Sequence, residues 1–254
     1  MNIAVLMKQT LDTEEKITIQ DGAVALDGAK FILNPYDEYA VEEAIRLKEK
    51  HGGTITVLSV GPQRSAEAIR TALAMGADDA VLISDEGLDD EYGVSVALSA
   101  YLRQHPCDLL LGGSFSVDQG AGQVALRVAQ LLGIPHTSSI TRLDIDGGRA
   151  VALRDAEGDN ETVEVTLPAL FTAQQGLNDP RYPSLPGIMK AKKKPFHQLE
   201  LADLELDAAD IAPRTVRTSL KLPPERNAGQ RIGGDPRQQA SRLVELLRSE
   251  AKLL

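Results

Sequence analysis

Short apolar runs rich in β-branched residues alternate with amphipathic stretches of helical length through the first half of this chain, and that alternation constrains the fold most. Strands separated by helices pair in parallel, because the crossover returns the chain to the same end of the sheet. Asn2 to Met7 reads as the first strand. NPYDEYAVEEAIRLKEKHGG then reads as a helix with Asn34 as its N-cap, Pro35 at the first helical position, and Gly52 and Gly53 closing it. Tyr36, Ala40, Val41, Ala44, Ile45 and Leu47 fall on its apolar face. Thr54 to Val60 is the next strand and ends at the Gly61-Pro62 turn. A helix to Met75, a strand Ala80 to Ile83, a helix Tyr92 to Gln104 and a strand Asp108 to Leu111 follow. The last is apolar without alternation, as a strand covered on both faces should be.

Past a loop at Gly112 to Gly122 and a helix at Gln123 to Leu132 the pattern changes. ITRLDIDGGRAVALRD holds two alternating runs about Asp146-Gly147-Gly148, which predicts a β-hairpin, and Val163 to Val165 and Ala169 to Ala173 are expected to complete the sheet. After Gly176, Pro180, Pro183, Pro186, Pro195, Pro213, Pro223 and Pro224 break up any long element. A capped helix returns at Asp235-Pro236, with Ala240, Leu243, Val244, Leu247 and Ala251 on one face. The expected fold is α/β: an open, mostly parallel sheet of the adenine-nucleotide-binding, Rossmann-like type with an added β-hairpin and an extended C-terminal arm ending in a helix. The body is expected over residues 1–176, a loop over 177–194, and the arm over 195–254. Such an arm has no core of its own, so Leu199, Leu201, Leu204 and Leu206 must pack on the body or on another chain, and a partner chain is the favoured expectation.

Charge and cysteine usage narrow the function classes. With 27 basic against 37 acidic residues the net charge is −10, so no nucleic-acid partner is expected. No apolar run approaches the roughly 20 residues of a membrane helix, so no membrane insertion is expected. Met1 leads directly into the first strand without a basic segment, and Cys107, the one cysteine, can form no disulfide within the chain, which places the protein in the cytoplasm by expectation. His51, His105, His136 and His197 are not spaced with second ligands as a zinc site requires, so no metal is expected.

Gly112-Gly113-Ser114-Phe115-Ser116 departs from a nucleophile elbow because Ser116 stands where the last glycine belongs. Gly120-Ala121-Gly122-Gln123-Val124-Ala125 fits G-x-G-x-x-[G/A], with Asp144 downstream, yet that fingerprint belongs directly after the first strand. What remains is a glycine-rich loop entering a helix, whose free N–H groups can meet an anion. Ligands of open α/β sheets bind at the carboxyl ends of the strands, here the loops from Lys8, Gly61 and Gly112. Asn34-Pro35-Tyr36-Asp37 adds a second helix start, and the set suits an adenine nucleotide.

In the stretch from Gly176 to Pro195, Pro180, Pro183 and Pro186 stiffen a loop that carries Leu185, Ile188 and Met189 beside Lys190, Lys192, Lys193 and Lys194. A solvated linker has no use for apolar residues held out by prolines, whereas a hydrophobic anchor flanked by steering charges does.

With this loop, LPALFTAQQGLNDPRYPSLPGIMKAKKKP, and with MKQTLDTEEKI, NPYDEYAVEEAIRLKEKHGG, RTALAMGAD and the arm, the chain resembles the β subunit of electron-transfer flavoprotein over essentially its whole length. The resemblance implies an electron carrier rather than an enzyme, a heterodimer with an α subunit that holds most of the redox FAD, and a structural AMP in the β subunit. It implies dehydrogenases of flavin type, such as the acyl-CoA dehydrogenases of fatty acid oxidation, as donors, and a quinone-reducing acceptor. By motif, the AMP contacts would be Leu6, Asn34, Pro35, Tyr36, Asp37, Val60, Gly113, Ser114, Phe115, Ser116, Val117, Asp118, Gln119, Gly120 and Ala121. The recognition loop would be Arg181, Tyr182, Pro183, Ser184, Leu185, Pro186, Gly187, Ile188, Met189 and Lys190, with Leu185 as anchor. Where the family commonly has an Asp-rich segment followed by Asn-Gln-Thr-Gly-Gln or Ala-Gln-Val-Gly-Pro, this chain has the shorter Val117 to Gln123, in which glycine backbone replaces hydroxyl and amide donors. AMP, or a second FAD as in bifurcating relatives, both stay open there. So do a free-standing adenine-nucleotide sensor on the same body and an NAD-dependent dehydrogenase, although no catalytic acid or base accompanies the latter.

Overall fold

The structure, a computed structural model, describes residues 1–224 and 228–254, so residues 225–227 of the expected arm lie outside the described residues. In chain order the elements are β1 (Asn2–Leu6), β2 (Gln9–Leu11), β3 (Ile19–Gln20), β4 (Ala23–Val24), β5 (Phe31–Leu33), α1 (Pro35–His51), β6 (Thr54–Val60), α2 (Ala66–Met75), β7 (Asp79–Ile83) and α3 (Glu91–Gln104). They continue with β8 (Leu109–Gly113), α4 (Gln123–Leu132), β9 (His136–Asp146), β10 (Arg149–Ala156), β11 (Asp159–Thr166), β12 (Ala169–Ala173), α5 (Leu185–Ala191), β13 (Phe196–Leu199) and α6 (Pro236–Ser249).

One nine-stranded sheet runs in the order β11-β10-β9-β12-β8-β1-β6-β7-β13. From β9 to β13 every neighbour pairs in parallel, and only β10 and β11 turn back antiparallel at the far edge. The hairpin about Asp146-Gly147-Gly148 is therefore present, with a third strand added to it. Two short antiparallel ribbons, β2 with β5 and β3 with β4, fill the connection between β1 and α1.

Alternation along each central strand splits the core into two layers, since successive side chains point to opposite faces. On β1, Ile3 and Val5 join the cluster under α1 and α2, while Ala4 and Leu6 join the one under α3 and α4. Leu109 and Leu111 part from Leu110 in the same way on β8. Val41, Ile45, Ile69 and Leu73 close the first layer, and Ala97, Leu98, Val128 and Ala129 the second. Burying both faces is what lets these strands be apolar throughout.

The structure corrects the sequence-based expectation in several places. Leu199, Leu201, Leu204 and Leu206, expected on a partner chain, pack on the body: Leu204 is 3% exposed in the α3–α4 layer and the other three lie against that layer. The same segment supplies β13, which pairs with β7 and covers its open edge. Leu185 to Ala191, expected as irregular loop, is a helix because the Ser184 hydroxyl caps it by accepting from Gly187 N–H and Pro186 stands in its first turn. Asn34 does sit at the N-cap position of α1, but its side chain makes no cap bond there. Ala251, expected on the apolar face of the last helix, falls beyond the end of α6.

The helix α6 forms as expected, with Asp235 and Gln238 in a reciprocal capping box, yet none of its residues is buried. This contrast within the arm is testable by denaturant unfolding of single variants. Leu204→Ala should cost about 3 kcal/mol, as for a well-packed core leucine. Leu243→Ala, at a position 48% exposed, should cost less than about 0.5 kcal/mol. Equal losses at the two positions would contradict the packing described.

Candidate functional site

At the carboxyl ends of β1, β6 and β8 lies a cavity of about 760 Å³. Its position is the one an open parallel sheet dictates, since only there do strand-to-helix loops converge. The floor is Leu6, Val60, Gly112 and Gly113, with Leu88, Val94 and Leu98 as an apolar wall.

Three distant segments are tied together at this floor by Asp37, from the first turn of α1. Its Oδ2 accepts from Lys8 N–H at 2.8 Å and its Oδ1 from Gly113 N–H at 3.0 Å. The approach is so close that a Cβ on Gly113 would lie 2.3 Å from Asp37 Oδ1, so position 113 admits only glycine. Burial pushes the Asp37 carboxyl up to about 7, against the lowering effect of the N–H groups it accepts from. Asn34, freed from capping, reaches the other way: its Nδ2 donates to Phe115 O at 3.0 Å and its Oδ1 accepts from Val117 N–H at 3.2 Å. Its amide thus pins the loop after β8, which folds on itself through Ser116 N–H to Ala121 O and Gly120 N–H to Ser116 O. Lys8 and Asp118 pair at 2.9 Å across the rim.

Of the residues singled out from the sequence, Leu6, Asn34, Asp37, Val60, Gly113, Phe115, Ser116, Asp118, Gln119 and Ala121 line the cavity. Pro35, Tyr36, Ser114, Val117 and Gly120 do not; Tyr36 instead packs its ring, tilted by 43°, with its centroid 4.1 Å from that of Phe115, and Ser114 N–H donates to Ala173 O. The Ser114 hydroxyl is buried with no hydrogen-bond partner among the described residues, so none of them activates it as a nucleophile. Gly122, Val124 and Ala125 bring the start of α4 to the cavity, and no side chain caps that helix.

The arm completes the rim, and nothing local in the sequence marks it. Thr215, Val216 and Arg217 line the cavity opposite the glycine-rich loop. They are held by Asp90, the N-cap of α3, whose Oδ1 accepts from Gly93 N–H while its Oδ2 accepts from Arg214 N–H at 2.6 Å and Thr215 N–H at 2.9 Å. Burial opposes ionisation of Asp90, but these donors outweigh it and hold the carboxyl below its ordinary range. The Arg214 guanidinium lies 4.8 Å over the Tyr92 ring. An Asp before a helix is legible as a cap, but its second set of partners, more than a hundred residues away, is not.

The expected recognition residues form a separate feature. Tyr182, Leu185 and Met189 are 95%, 79% and 73% exposed, and Ile188 also faces out. Lys190, Lys192 and Lys193 are exposed at the C-terminal end of α5, whereas Lys194 turns inward and Arg181 turns back onto α1. Ser184 and Pro186 are exposed as well and Pro183 and Gly187 partly so; Ser184 also caps α5, and Gly187 packs so tightly that a Cβ there would clash with Ala74 O. Among the described residues no group of His, Cys, Asp and Glu could hold a metal ion, and no helix is long and apolar enough to cross a membrane. Cys107 is half-buried, and burial pushes its thiol up to about 11, away from reactive thiolate behaviour.

The Asp37 junction carries a pH dependence whose sign is fixed. The folded chain holds a proton there between the ordinary carboxyl value of 3.8 and about 7, where the unfolded chain does not, so stability from this group falls as pH rises through that window. Asp37→Asn, which does not titrate, should remove a decline of up to roughly 4 kcal/mol from the pH profile of unfolding free energy. Parallel profiles for the two proteins between pH 4 and pH 8 would assign the buried proton elsewhere.

A family model described as an electron transfer flavoprotein domain matches residues 21–204. The chain is 56% identical, over its whole length and all of the relative's, to an electron transfer flavoprotein subunit beta of Bacillus subtilis (strain 168). It is 42% identical to the protein of the same name from Syntrophomonas wolfei subsp. wolfei, covering 100% of this chain and 99% of that one. The corresponding protein of Bradyrhizobium diazoefficiens is 35% identical and is likewise matched from end to end. An α/β sheet with a cavity at its carboxyl edge, an exposed apolar-basic knob and end-to-end likeness of this degree lead to one conclusion: the chain belongs to the electron transfer flavoprotein family, in its beta-subunit branch.

Proposed function

We propose that this chain pairs with an α subunit that holds the redox FAD, accepts electrons from flavin dehydrogenases such as acyl-CoA dehydrogenases, and passes them to a quinone-reducing acceptor, working as a cytoplasmic electron carrier. The observation that carries this reading is the knob at α5: Leu185 and Met189 stand in solvent on a short helix whose C-terminal end carries the exposed Lys190, Lys192 and Lys193. Exposed apolar side chains next to a cluster of cations suit a transient partner with an acidic surface, because the charges speed encounter and the apolar side chains supply affinity. FAD, when bound in the pair, takes up and releases the electrons. This chain's part is to hold the partner and to present the dehydrogenase.

The cavity suits a structural AMP. The uncapped start of α4 offers backbone N–H groups, and glycines on both sides allow a phosphate close approach. Leu6, Val60, Leu88 and Val94 give an adenine ring apolar contacts.

Two measurements test these assignments. Leu185→Ala in the purified pair should slow electron transfer from an acyl-CoA dehydrogenase by about 2 kcal/mol, roughly thirtyfold, without loss of FAD; an unchanged rate would remove the anchor role. Denaturing the pair and identifying the released nucleotides should yield one FAD and one AMP. Two FAD and no AMP would make the cavity of this chain a redox site of the bifurcating kind, and failure to copurify with an α subunit would overturn the carrier reading.

A further inference from the structure

A helix of the length of α5 does not hold itself together in water; Leu185, Ile188 and Met189 face solvent, while Ala191 is buried where α5 packs on α2. Its direction is set by that footing together with the segments on either side. On the N-terminal side, Asn178 Nδ2 donates to Tyr39 O and to Glu43 Oε2, both at 3.0 Å. Arg181 then meets two carboxylates of α1 in a double fork. Its Nε and Nη2 donate to Glu42 at 2.8 and 3.1 Å, its Nη1 and Nη2 to Glu49 at 2.7 and 3.2 Å, and its backbone N–H adds a bond to Glu42 at 3.1 Å. Glu42 is buried, so this pair is shielded from solvent as an ordinary surface ion pair is not. On the C-terminal side, Lys194 Nζ donates to Leu73 O and Ala77 O, closing the end of α2. Between the two clamps α5 packs on α2, with Gly187 close against Ala74 O and Ala191 buried.

Resting on the docking role proposed for Leu185, we propose that Arg181 is a positioning residue for that contact: it does not touch the dehydrogenase but fixes the direction in which α5 presents Leu185 and Met189. Four directed bonds from one planar group set the path of the chain four residues before Leu185. A helix ordered beforehand spares the complex the cost of ordering it on contact. Arg181 was expected among the contact residues, yet its donors are spent inside the chain. Lysine keeps the charge but cannot bridge two carboxylates in this geometry.

The test uses the α–β pair as electron acceptor for an acyl-CoA dehydrogenase, with Arg181→Lys, Leu185→Ala and the double variant, each checked for wild-type nucleotide content. Arg181→Lys should raise KM for the pair about tenfold with kcat unchanged. It should quicken amide hydrogen exchange across Leu185–Ala191 by about fivefold or more. The double variant should be no worse than Leu185→Ala alone, because a misdirected helix has no anchor left to misplace. Wild-type KM and exchange in Arg181→Lys, or losses that simply add to those of Leu185→Ala, would overturn the positioning role while leaving the docking role intact. A silent Leu185→Ala would instead overturn the docking role, and with it the link to KM, while the exchange data would still show whether Arg181 holds α5.

Discussion

A buried carboxylate that joins three strangers in sequence is the constraint from which the rest of the site follows. Asp37 lies in the first turn of α1 and takes N–H groups from the ends of β1 and β8, two adjacent strands whose hydrogen-bonding ladders stop there. Those N–H groups leave the sheet with no strand partner, and a buried donor left unpaired costs about 1–3 kcal/mol. Satisfying both with one side chain fixes how far the first turn of α1 stands from the sheet. The cost is a carboxyl held where ionisation is disfavoured, and it is offset only because both oxygens are used. Asn34, one turn earlier, leaves its own helix uncapped in order to pin the loop after β8, and Pro35 lightens that loss because it has no N–H to be orphaned.

The second half of the chain is organised by the open edge of the sheet and by the cavity, not by a core of its own. β13 adds itself to β7, and Leu204 fills the α3 side. The chain then returns across the mouth of the cavity to Asp90, so that one side chain caps a helix and latches the arm. From Thr215 onward none of the described residues is buried. The apolar face of α6, with Leu243 and Val244, has no cover within the described residues, in keeping with a chain from a family whose relatives bear the name of a subunit.

Which parts were legible follows from the range over which each signal acts. The period-two strands, the glycines that end helices, the hairpin about Asp146 and the cap that starts α6 are set within a few residues and were read correctly. The place of the cavity was also legible, because a parallel sheet brings the loops from Lys8, Gly61 and Gly112 to one edge by topology alone. Asn34 was misread because a good N-cap and a good cross-chain bracket are the same side chain, and only the proximity of Phe115 and Val117 decides between them. The leucines from Leu199 to Leu206 were misplaced because their spacing says that they bury and not against what. Thr215 to Arg217 gave no signal at all, since their place depends on a carboxylate more than a hundred residues upstream.

By itself, then, the amino-acid sequence determined an α/β body with converging loops at the carboxyl edge of its sheet and an apolar-basic segment set apart by prolines, since hydrophobic period and chain punctuation act locally. Tertiary structure alone decided which polar side chains face the cavity and which are consumed in building it, and which cation of the knob stays exposed and which is paired within the chain. Arg181 and Lys190 look equivalent in the chain. They part only because Glu42 and Glu49 happen to stand one above the other on α1 within reach of the first and not of the second.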